Sequence, residues 1–330
     1  MLTYAANAIR STPVSKKPLI LVVVSIASPS VSAAVLVQKK KPKGFFEVLS
    51  YLALHKKTSH AFGCGVFLWL LFGSALLAAE CGRGEGAVVV VKKVIDGDTL
   101  RLQDGRSVRL LGVNAPEVTH GANAGQPFGV ESRAAVVAFI ARANKKVRLT
   151  AEAQALDAYG RSLAHVYDLQ GRSLAVNLLA QGMALQIAVP PNTDQAACLL
   201  AVERKARQSR LGLWRSDFWA AKGATGLGVK DKGFRLVRAK VAAVTINKSV
   251  WLELDGNLAV QIPRRYWRDF TLANGEPYKQ KDWLALRGIT IEVRGWINPR
   301  TGRSTSGAGK RYKPLIMQLK SSASLQIHGF

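Results

Sequence analysis

The 330-residue sequence is poor in cysteine. Its three cysteines, Cys64, Cys81 and Cys198, lie far apart and form no Cys-x-x-Cys pair, so a compact zinc site is not expected. If the mature chain begins near residue 80 and enters an oxidising compartment, Cys81 and Cys198 are free to pair, and we treat that pairing as a hypothesis.

Acidic residues are also scarce: 21 of them stand against 47 lysines and arginines, for a formal net charge of +26. Basic residues outnumber acidic ones by 9 to 1 over residues 1–60, by 19 to 13 over 61–229 and by 19 to 7 over 230–330. This excess favours a polyanionic partner, with solubility or an anionic membrane surface as alternatives. Because an export leader can be basic by itself, the charge of the C-terminal third is the better indication of contact with nucleic acid.

No apolar run reaches a membrane span of about 20 residues. Two shorter runs, Leu19–Ala27 and Val66–Ala79, each follow a lysine pair and end in small residues, as export signals do. Residues 1–80 are therefore predicted to be an export leader region. We favour a misassigned start site with a functional leader at about 48–79, and the alternative is a cleaved first signal followed by a membrane anchor. Both predict an exported protein, periplasmic or secreted.

From Ala87 onward the chain alternates strands and turns, which is typical of a small barrel. The pattern predicts strands at 88–95, 99–102, 107–113, 146–151 and 162–168, with helices at 130–143, 174–181 and 195–209. Five strands with three interleaved helices predict a mainly β fold with α, an OB-like barrel, over residues 86–220.

The remaining sequence predicts a glycine-rich linker at 221–233 and a second, mostly β domain at 234–330, for which an OB-like barrel is the favoured form. Its predicted strands are 234–244, 250–254, 259–263, 288–297 and 314–319. Aromatic residues are interleaved there with Arg and Lys, a combination suited to binding nucleic acid, although about half of them are expected in the core. These aromatic residues are Trp251, Tyr266, Trp267, Trp283, Trp296 and Tyr312.

Three short segments are candidates for chemistry. The turn Asp96-Gly97-Asp98-Thr99 offers carboxylate and hydroxyl oxygens to a hard cation such as Ca²⁺. Arg109 lies on a later strand and Glu117 follows it in a loop, so Glu117 is a candidate general base and Arg109 a candidate partner for phosphate charge. The turn Asp157-Ala158-Tyr159-Gly160-Arg161 places a second arginine before another strand. Taken singly, each segment is better explained as an ordinary turn or edge strand.

Together and in this order, the segments resemble the thermonuclease (staphylococcal-nuclease-like) family over about residues 88–214. The matching pieces are Asp96-Gly97-Asp98-Thr99, Arg109-Leu110-Leu111-Gly112-Val113 with Ala115-Pro116-Glu117, Tyr159-Gly160-Arg161, Gln181-Gly182-Met183-Ala184 and Leu211-Gly212-Leu213-Trp214.

The resemblance implies an OB barrel with three helices, a Ca²⁺ cofactor, and hydrolysis of DNA and RNA that leaves 3′-phosphate ends. It further implies that Arg109 and Arg161 bind the scissile phosphate. Glu117 is implied to activate or orient the attacking water, and Tyr159 to bind a neighbouring phosphate.

The metal ligands implied by the resemblance are Asp98, Asn114 and Thr99. Asn114 stands where well-known members carry a second aspartate, so Ca²⁺ is expected to bind more weakly. The aromatic residues that the resemblance places within Ile187–Pro190 are missing. We therefore hypothesise that the C-terminal domain compensates by holding the substrate strand.

The leading prediction is a calcium-dependent endonuclease acting on DNA, RNA or both, with no protein partner implied. The alternative is a non-catalytic nucleic-acid-binding protein that keeps the barrel. The joint presence of Arg109, Glu117 and Arg161 favours the enzyme, because a degenerate module is expected to lose at least one of them.

Overall fold

The computed structural model describes residues 81–82, 84–119, 121, 124–272, 274–301 and 312–328, together with the backbone of three short strands nearer the N-terminus. The chain divides into two compact units, Met1–Val66 and Phe67–Phe330. In the first unit, β1 (Leu21–Val24), β2 (Ala34–Gln38) and β3 (Val48–Ser50) form an antiparallel sheet. β1 falls within the first apolar run, whereas the second run and most of the predicted leader lie outside the described residues.

Five strands of the second unit close into a barrel. The strands in this part of the chain are β4 (Ala87–Asp96), β5 (Thr99–Leu102), β6 (Ser107–Leu110), β7 (Val113–Asn114), β8 (Lys146–Thr150) and β9 (Ser162–Tyr167). The barrel order is β4-β5-β6-β9-β8, with β6 and β9 parallel. The predicted five-stranded barrel is confirmed.

One predicted strand, 107–113, is divided in two. β6 ends at Leu110 and β7 begins at Val113, because Gly112 adopts a left-handed φ of +79° that side chains rarely tolerate. β7 then pairs with β10 (Leu185–Gln186), with Asn114 opposite Leu185. The turn at Gly112 therefore takes Asn114 out of the barrel sheet.

Three helices pack on this barrel, close to their predicted positions. They are α1 (Gly129–Arg142), α2 (Leu174–Ala180) and α3 (Ala196–Gln208). α2 begins after Ser173, whose hydroxyl accepts a hydrogen bond from the Val176 amide at 3.3 Å. Helices and strands share one apolar core, which includes Val91, Leu100, Leu102, Val108, Leu110, Val136, Phe139, Val147, Leu178 and Leu199. Among helices in the described part of the chain, none is both long and apolar enough to span a membrane.

A disulfide joins Cys81 to Cys198, with the two Cα atoms 5.4 Å apart. The hypothesised pairing is confirmed. The bond ties the segment that precedes β4 to α3.

Reducing this disulfide is expected to lower the free energy of unfolding by about 2–4 kcal/mol, because it closes a long loop whose ends have a sequence separation of 117. Urea unfolding with and without dithiothreitol measures the difference. The double variant Cys81→Ala/Cys198→Ala serves as control and should be indifferent to the reductant. A wild-type midpoint that dithiothreitol leaves unchanged contradicts the expectation.

A second barrel follows the first and repeats its strand order. Its elements are β11 (Gly233–Ile246), β12 (Ser249–Leu254), β13 (Leu258–Pro263), α4 (Gln280–Leu284), β14 (Thr290–Pro299), β15 (Leu315–Gln318) and the additional strand β16 (Leu325–His328). The order β11-β12-β13-β15-β14 closes back onto β11, with β13 and β15 parallel. The prediction of a second small barrel is confirmed, and its topology matches that of the first.

The aromatic residues of the second barrel divide as expected between core and surface. Trp283 is buried, and Tyr266 and Trp267 pack partly against the same core. Trp296 and Tyr312 are 45% and 40% exposed.

The segment predicted as a linker, 221–233, is not a free connection. Ala224 and Leu227 are buried in the core of the second barrel. The Asn257 side chain donates to the Leu227 carbonyl at 2.9 Å, and the Lys222 amide donates to the Leu236 carbonyl at 2.9 Å. The glycine content of this segment is typical of a flexible linker. Burial of its apolar residues in the core of the second barrel nevertheless fixes its position.

The two barrels are packed against each other within the second unit. They share an apolar cluster of Leu185, Leu213, Trp219, Phe234 and Leu236. Two buried carboxylates add ion pairs: Glu203 of α3 binds Arg294 of β14 at 2.7 Å, and Glu292 of β14 binds Arg207 of α3 at 2.5 Å. Burial by itself raises the pKa of Glu292, but Arg207 and Arg238 outweigh burial and hold that pKa below its usual value.

Candidate active site

The turn between β4 and β5 holds a buried carboxylate, Asp98. Its Oδ1 accepts a hydrogen bond from the Thr99 hydroxyl at 3.0 Å, and its Oδ2 accepts one from the Ala115 amide at 2.9 Å. A Cβ added to Gly97 would collide with the Ser132 hydroxyl and the Ala115 methyl group. Glycine therefore lets this turn close against α1 and the segment after β7.

Arg109 reaches the same turn from β6, where it pairs with Thr99 across the ladder. Its Nη1 donates to the carbonyls of Leu110 and Val113, each at 2.8 Å. Its Nη2 donates to the Asn114 side-chain oxygen at 3.3 Å and lies 3.2 Å from Asp98 Oδ2. The structure therefore brings together four predicted site residues, namely Asp98, Thr99, Arg109 and Asn114.

These contacts determine how Arg109 can meet a substrate. A guanidinium has five N–H groups, and four of those of Arg109 point at the partners just described. An anion can therefore reach this guanidinium through its Nε–H group, or by displacing the contacts to Asn114 and Asp98. The side chain is only 14% exposed, so its position is already fixed before substrate binds.

Glu117 is exposed and lies two residues beyond Ala115, which Asp98 anchors. Gln126 fixes the backbone of Glu117 from both sides: the Gln126 side chain accepts from the Glu117 amide at 3.1 Å, and the Gln126 amide donates to the Glu117 carbonyl at 2.8 Å. The loop thus presents an exposed carboxylate on a backbone that Gln126 fixes, two residues after the amide that Asp98 binds.

Arg161 and Tyr159 form a second group around Asp157. Asp157 accepts from the amides of Tyr159 and Arg161, each at 2.9 Å, and from Arg161 Nε at 2.7 Å. Burial favours a higher pKa for Asp157, but these hydrogen bonds outweigh it and lower the pKa. The ionised carboxylate fixes Arg161, whose guanidinium also lies 5.6 Å from the centre of the exposed Tyr159 ring.

The two groups lie on neighbouring strands. β9 begins directly after Arg161, and its first residue, Ser162, pairs with Val108, while Leu163 pairs with Arg109. Among the described contacts of Arg161, none involves its Nη atoms, so the four N–H groups there are available to an anion beside β6.

The oxygen donors around Asp98 suit a hard cation. Among the described residues, Asp98 Oδ1 accepts a hydrogen bond from the Thr99 hydroxyl alone, and the amide oxygen of Asn114 and the exposed Glu117 carboxylate follow closely in sequence. No cluster of three His, Cys, Asp or Glu side chains suited to a metal occurs among the described residues. A cation here must take carbonyl, amide, hydroxyl or water oxygens as well, which fits Ca²⁺ with one strong carboxylate ligand.

Sequence reasoning missed two residues that support the site. The sequence predicted only a turn at Asp157, although its spacing of four residues from Arg161 is compatible with an ion pair between the two side chains. Gln126 gave no signal, because its contact with Glu117 depends on how the loop folds back.

Comparisons with known proteins agree with this geometry. The sequence model of the family described as staphylococcal nuclease homologue matches residues 107–216. A thermonuclease of Staphylococcus intermedius is 33% identical over 135 residues, which are 40% of this chain and 77% of that protein. A thermonuclease of Staphylococcus hyicus is 31% identical over 127 residues, which are 38% and 73% of the two chains. A probable endonuclease LCL3 of Verticillium alfalfae is 26% identical over 167 residues, which are 49% and 57%.

This protein is a nuclease, a hydrolase whose substrate is nucleic acid. The class follows from these similarities together with the barrel and the arginines and carboxylates at its β5–β6 side. The chain belongs to the staphylococcal nuclease homologue family.

Proposed function

We propose that this nuclease is a calcium-dependent endonuclease that hydrolyses phosphodiester bonds of DNA, RNA or both and leaves 3′-phosphate ends. The observation that carries the proposal is the contact of Arg109 with both Asp98 and Asn114, with the exposed Glu117 three residues after Asn114 in the chain. Arg161 stands on the adjoining strand with its Nη groups available to a phosphate.

Each side chain has a role in the proposed reaction. Arg161 and the Nε–H of Arg109 bind the non-bridging oxygens of the scissile phosphate and neutralise the charge that builds up there. The oxygen of the attacking water forms a bond to phosphorus, and Glu117 accepts a proton from that water. The bond from phosphorus to the 5′ oxygen breaks, and that oxygen takes a proton from solvent. The products are a 3′-phosphate and a 5′-hydroxyl, and Tyr159 contacts a neighbouring phosphate.

Asp98, Asn114 and Thr99 are the residues that would hold Ca²⁺. When bound, the ion supplies positive charge next to the phosphate. Asp98 also fixes Arg109 and the Ala115 amide, so its removal is expected to disturb the site even without metal.

Digestion of plasmid DNA and of RNA tests the proposal directly. Activity is expected with Ca²⁺, a fall of more than about 100-fold is expected with EDTA, and restoration is expected when excess Ca²⁺ is added back. Labelling of the 5′ ends by a kinase, with and without prior phosphatase treatment, identifies the product ends, because a 5′-hydroxyl is labelled without the phosphatase. Equal activity in EDTA overturns the calcium dependence, and 5′-phosphate products overturn the proposed direction of cleavage.

Replacing Asn114 by Asp is expected to lower the Ca²⁺ concentration for half-maximal activity by about tenfold, because a second carboxylate joins the ligand set. An aspartate oxygen can still accept from Arg109 Nη2, so the fold of the site should be kept. A calcium titration of activity measures the change, with Asn144→Asp, on the turn after α1, as control. An unchanged calcium requirement would show that residue 114 is not a ligand.

The proposed enzyme is exported, periplasmic or secreted, with a cleaved leader or a membrane anchor within residues 1–80. Two features support this location. The N-terminal sequence carries two apolar runs that follow lysine pairs, and the disulfide between Cys81 and Cys198 is stable in an oxidising compartment.

A further inference from the structure

A small cleft of about 40 Å³, open to solvent, lies between the two barrels. The nuclease barrel contributes Ile187, Ala188 and Val189, and the second barrel contributes Trp296 and Lys320 among others. Trp296 is 45% exposed and its ring meets the buried Phe234 edge-on at 5.0 Å. The described residues that line the cleft include Lys320, the ion-paired Arg294 and no carboxylate. An aromatic wall beside positive charge suits a nucleobase with its phosphate.

The cleft starts close to the active site. Ile187 directly follows β10, and its amide donates to the Gly112 carbonyl at 3.1 Å. Two residues earlier, Leu185 pairs with Asn114. At about 3.3 Å per residue along a strand, the cleft begins roughly 7 Å from the Asn114 pair. A strand cut at the active site therefore passes this cleft within one or two nucleotides.

From the cleft, a row of outward-facing side chains crosses the second barrel. Trp251 on β12 pairs with Gln261 on β13, and Gln261 pairs with Gln318 on β15. Gln318 lines the cleft together with Trp296 on β14. We name Trp296, Gln318, Gln261 and Trp251 the aromatic row. Four neighbouring strands span about 14 Å between their outer members.

The far end of the aromatic row carries a second exposed ring. The Arg300 guanidinium lies 5.1 Å from the centre of the Trp251 ring and 4.8 Å from that of Tyr312, so the three side chains form a stack. Tyr312 is 40% exposed, and Arg300 is fixed by donating to the Lys313 carbonyl at 3.0 Å. The nearby carboxylate on this face, Glu253, pairs with Ala259 on β13 and has interactions of its own.

We infer that the aromatic row, with Arg300 and Tyr312, binds the single-stranded part of the substrate that leads away from the cleaved bond. Trp296 and Tyr312 offer exposed faces for base stacking, which a duplex cannot use because its bases are already stacked. The Gln318 amide donates to the Gln261 side-chain oxygen at 3.3 Å and the Gln261 amide donates to the Ser249 hydroxyl at 3.1 Å, so base edges meet the second N–H group of each amide and the Gln318 oxygen. The inference rests on the proposed function for the position of the cut, and the excess of 19 basic over 7 acidic residues in 230–330 supplies the charge for the backbone.

Fluorescence anisotropy with a fluorescein-labelled dT20 strand in EDTA tests the inference, using the full chain. Trp296→Ala and Tyr312→Ala are each expected to raise Kd about tenfold. Two controls should stay within about twofold: Leu284→Ala, an exposed apolar residue of α4, and Arg287→Ala, which removes an exposed charge. Trp296→Ala also removes the packing on Phe234, so its Tm is measured, and Tyr312→Ala gives an independent test away from that contact. Unchanged Kd values in both variants overturn the inference.

Two further measurements sharpen the result. The Kd for a 20-base-pair duplex should change less than about twofold in the same variants. Equal increases in Kd for the duplex and for the single strand overturn the stacking role. In kinetics, Trp296→Ala and Tyr312→Ala should each raise the KM for dT20 about tenfold, with a much smaller change in kcat. If wild type does not cleave dT20 but the Kd differences hold, the proposed function fails and the binding face stands. If cleavage is normal and Kd is unaffected, only the binding face fails.

Discussion

Replacing Glu117 by Gln is expected to lower kcat by a factor of about 10²–10⁴, the usual contribution of a positioned general base. The amide keeps the shape of the side chain but cannot take a proton from water. Because the substitution keeps the size of this exposed side chain and leaves the two backbone hydrogen bonds to Gln126 in place, the fold is expected to be kept. Single-turnover cleavage at saturating Ca²⁺, together with a thermal melt, separates lost chemistry from lost structure.

The matched control for this variant is Glu131→Gln, which removes an exposed carboxylate in the first turn of α1. It should retain activity within about twofold. A Glu117→Gln enzyme that keeps more than a tenth of the wild-type kcat with the same Tm would rule out the carboxylate as general base. Cleavage would then depend on the two arginines and the metal alone.

The elements that the sequence predicted best are those with a local cause. β5 was predicted with its observed ends, because Asp96-Gly97 before it and Asp104-Gly105 after it are strong turn signals. The start and end of α2 follow in the same way from the Ser173 cap and Gly182. Local signals of this kind do not depend on the rest of the fold.

What the sequence could not predict depends on residues that are distant along the chain. The motifs indicated Asp98 and Arg109 separately, but their contact follows from the pairing of β5 with β6. The glycine-rich segment 221–233 has the composition of a linker, and only the second barrel's core shows why Ala224 is buried there. α4 escaped prediction because five residues are too few for a clear helical period.

The docking of the two barrels leads to the second large expected effect, at Arg294. This side chain is 4% exposed and its partner Glu203 is 1% exposed. Replacing Arg294 by Met leaves the Glu203 carboxylate buried without its cation, which is expected to cost about 3–5 kcal/mol of folding stability. At about 2–4 °C per kcal/mol for a protein of this size, the Tm should fall by roughly 6–20 °C. Calorimetry at neutral pH measures the change.

Arg238→Met is the matched control, because Arg238 is 48% exposed and its partner Glu292 keeps Arg207. Its expected cost is below about 1 kcal/mol. Adding Glu203→Met to Arg294→Met removes the stranded charge and should recover much of the loss, and a double variant as unstable as Arg294→Met would assign the effect to packing instead.

The Arg294→Met substitution is expected to change the active site as well as the stability of the fold. Glu203 also accepts from the amide of Gln186, and Arg294 donates to the Gln186 carbonyl at 3.3 Å. Gln186 lies on β10, which pairs with the strand that carries Asn114. Arg294→Met should therefore lower kcat/KM even at temperatures where it is fully folded, whereas Arg238→Met should not. If the folded Arg294→Met enzyme keeps the wild-type kcat/KM, the second barrel stabilises the nuclease barrel without positioning its site.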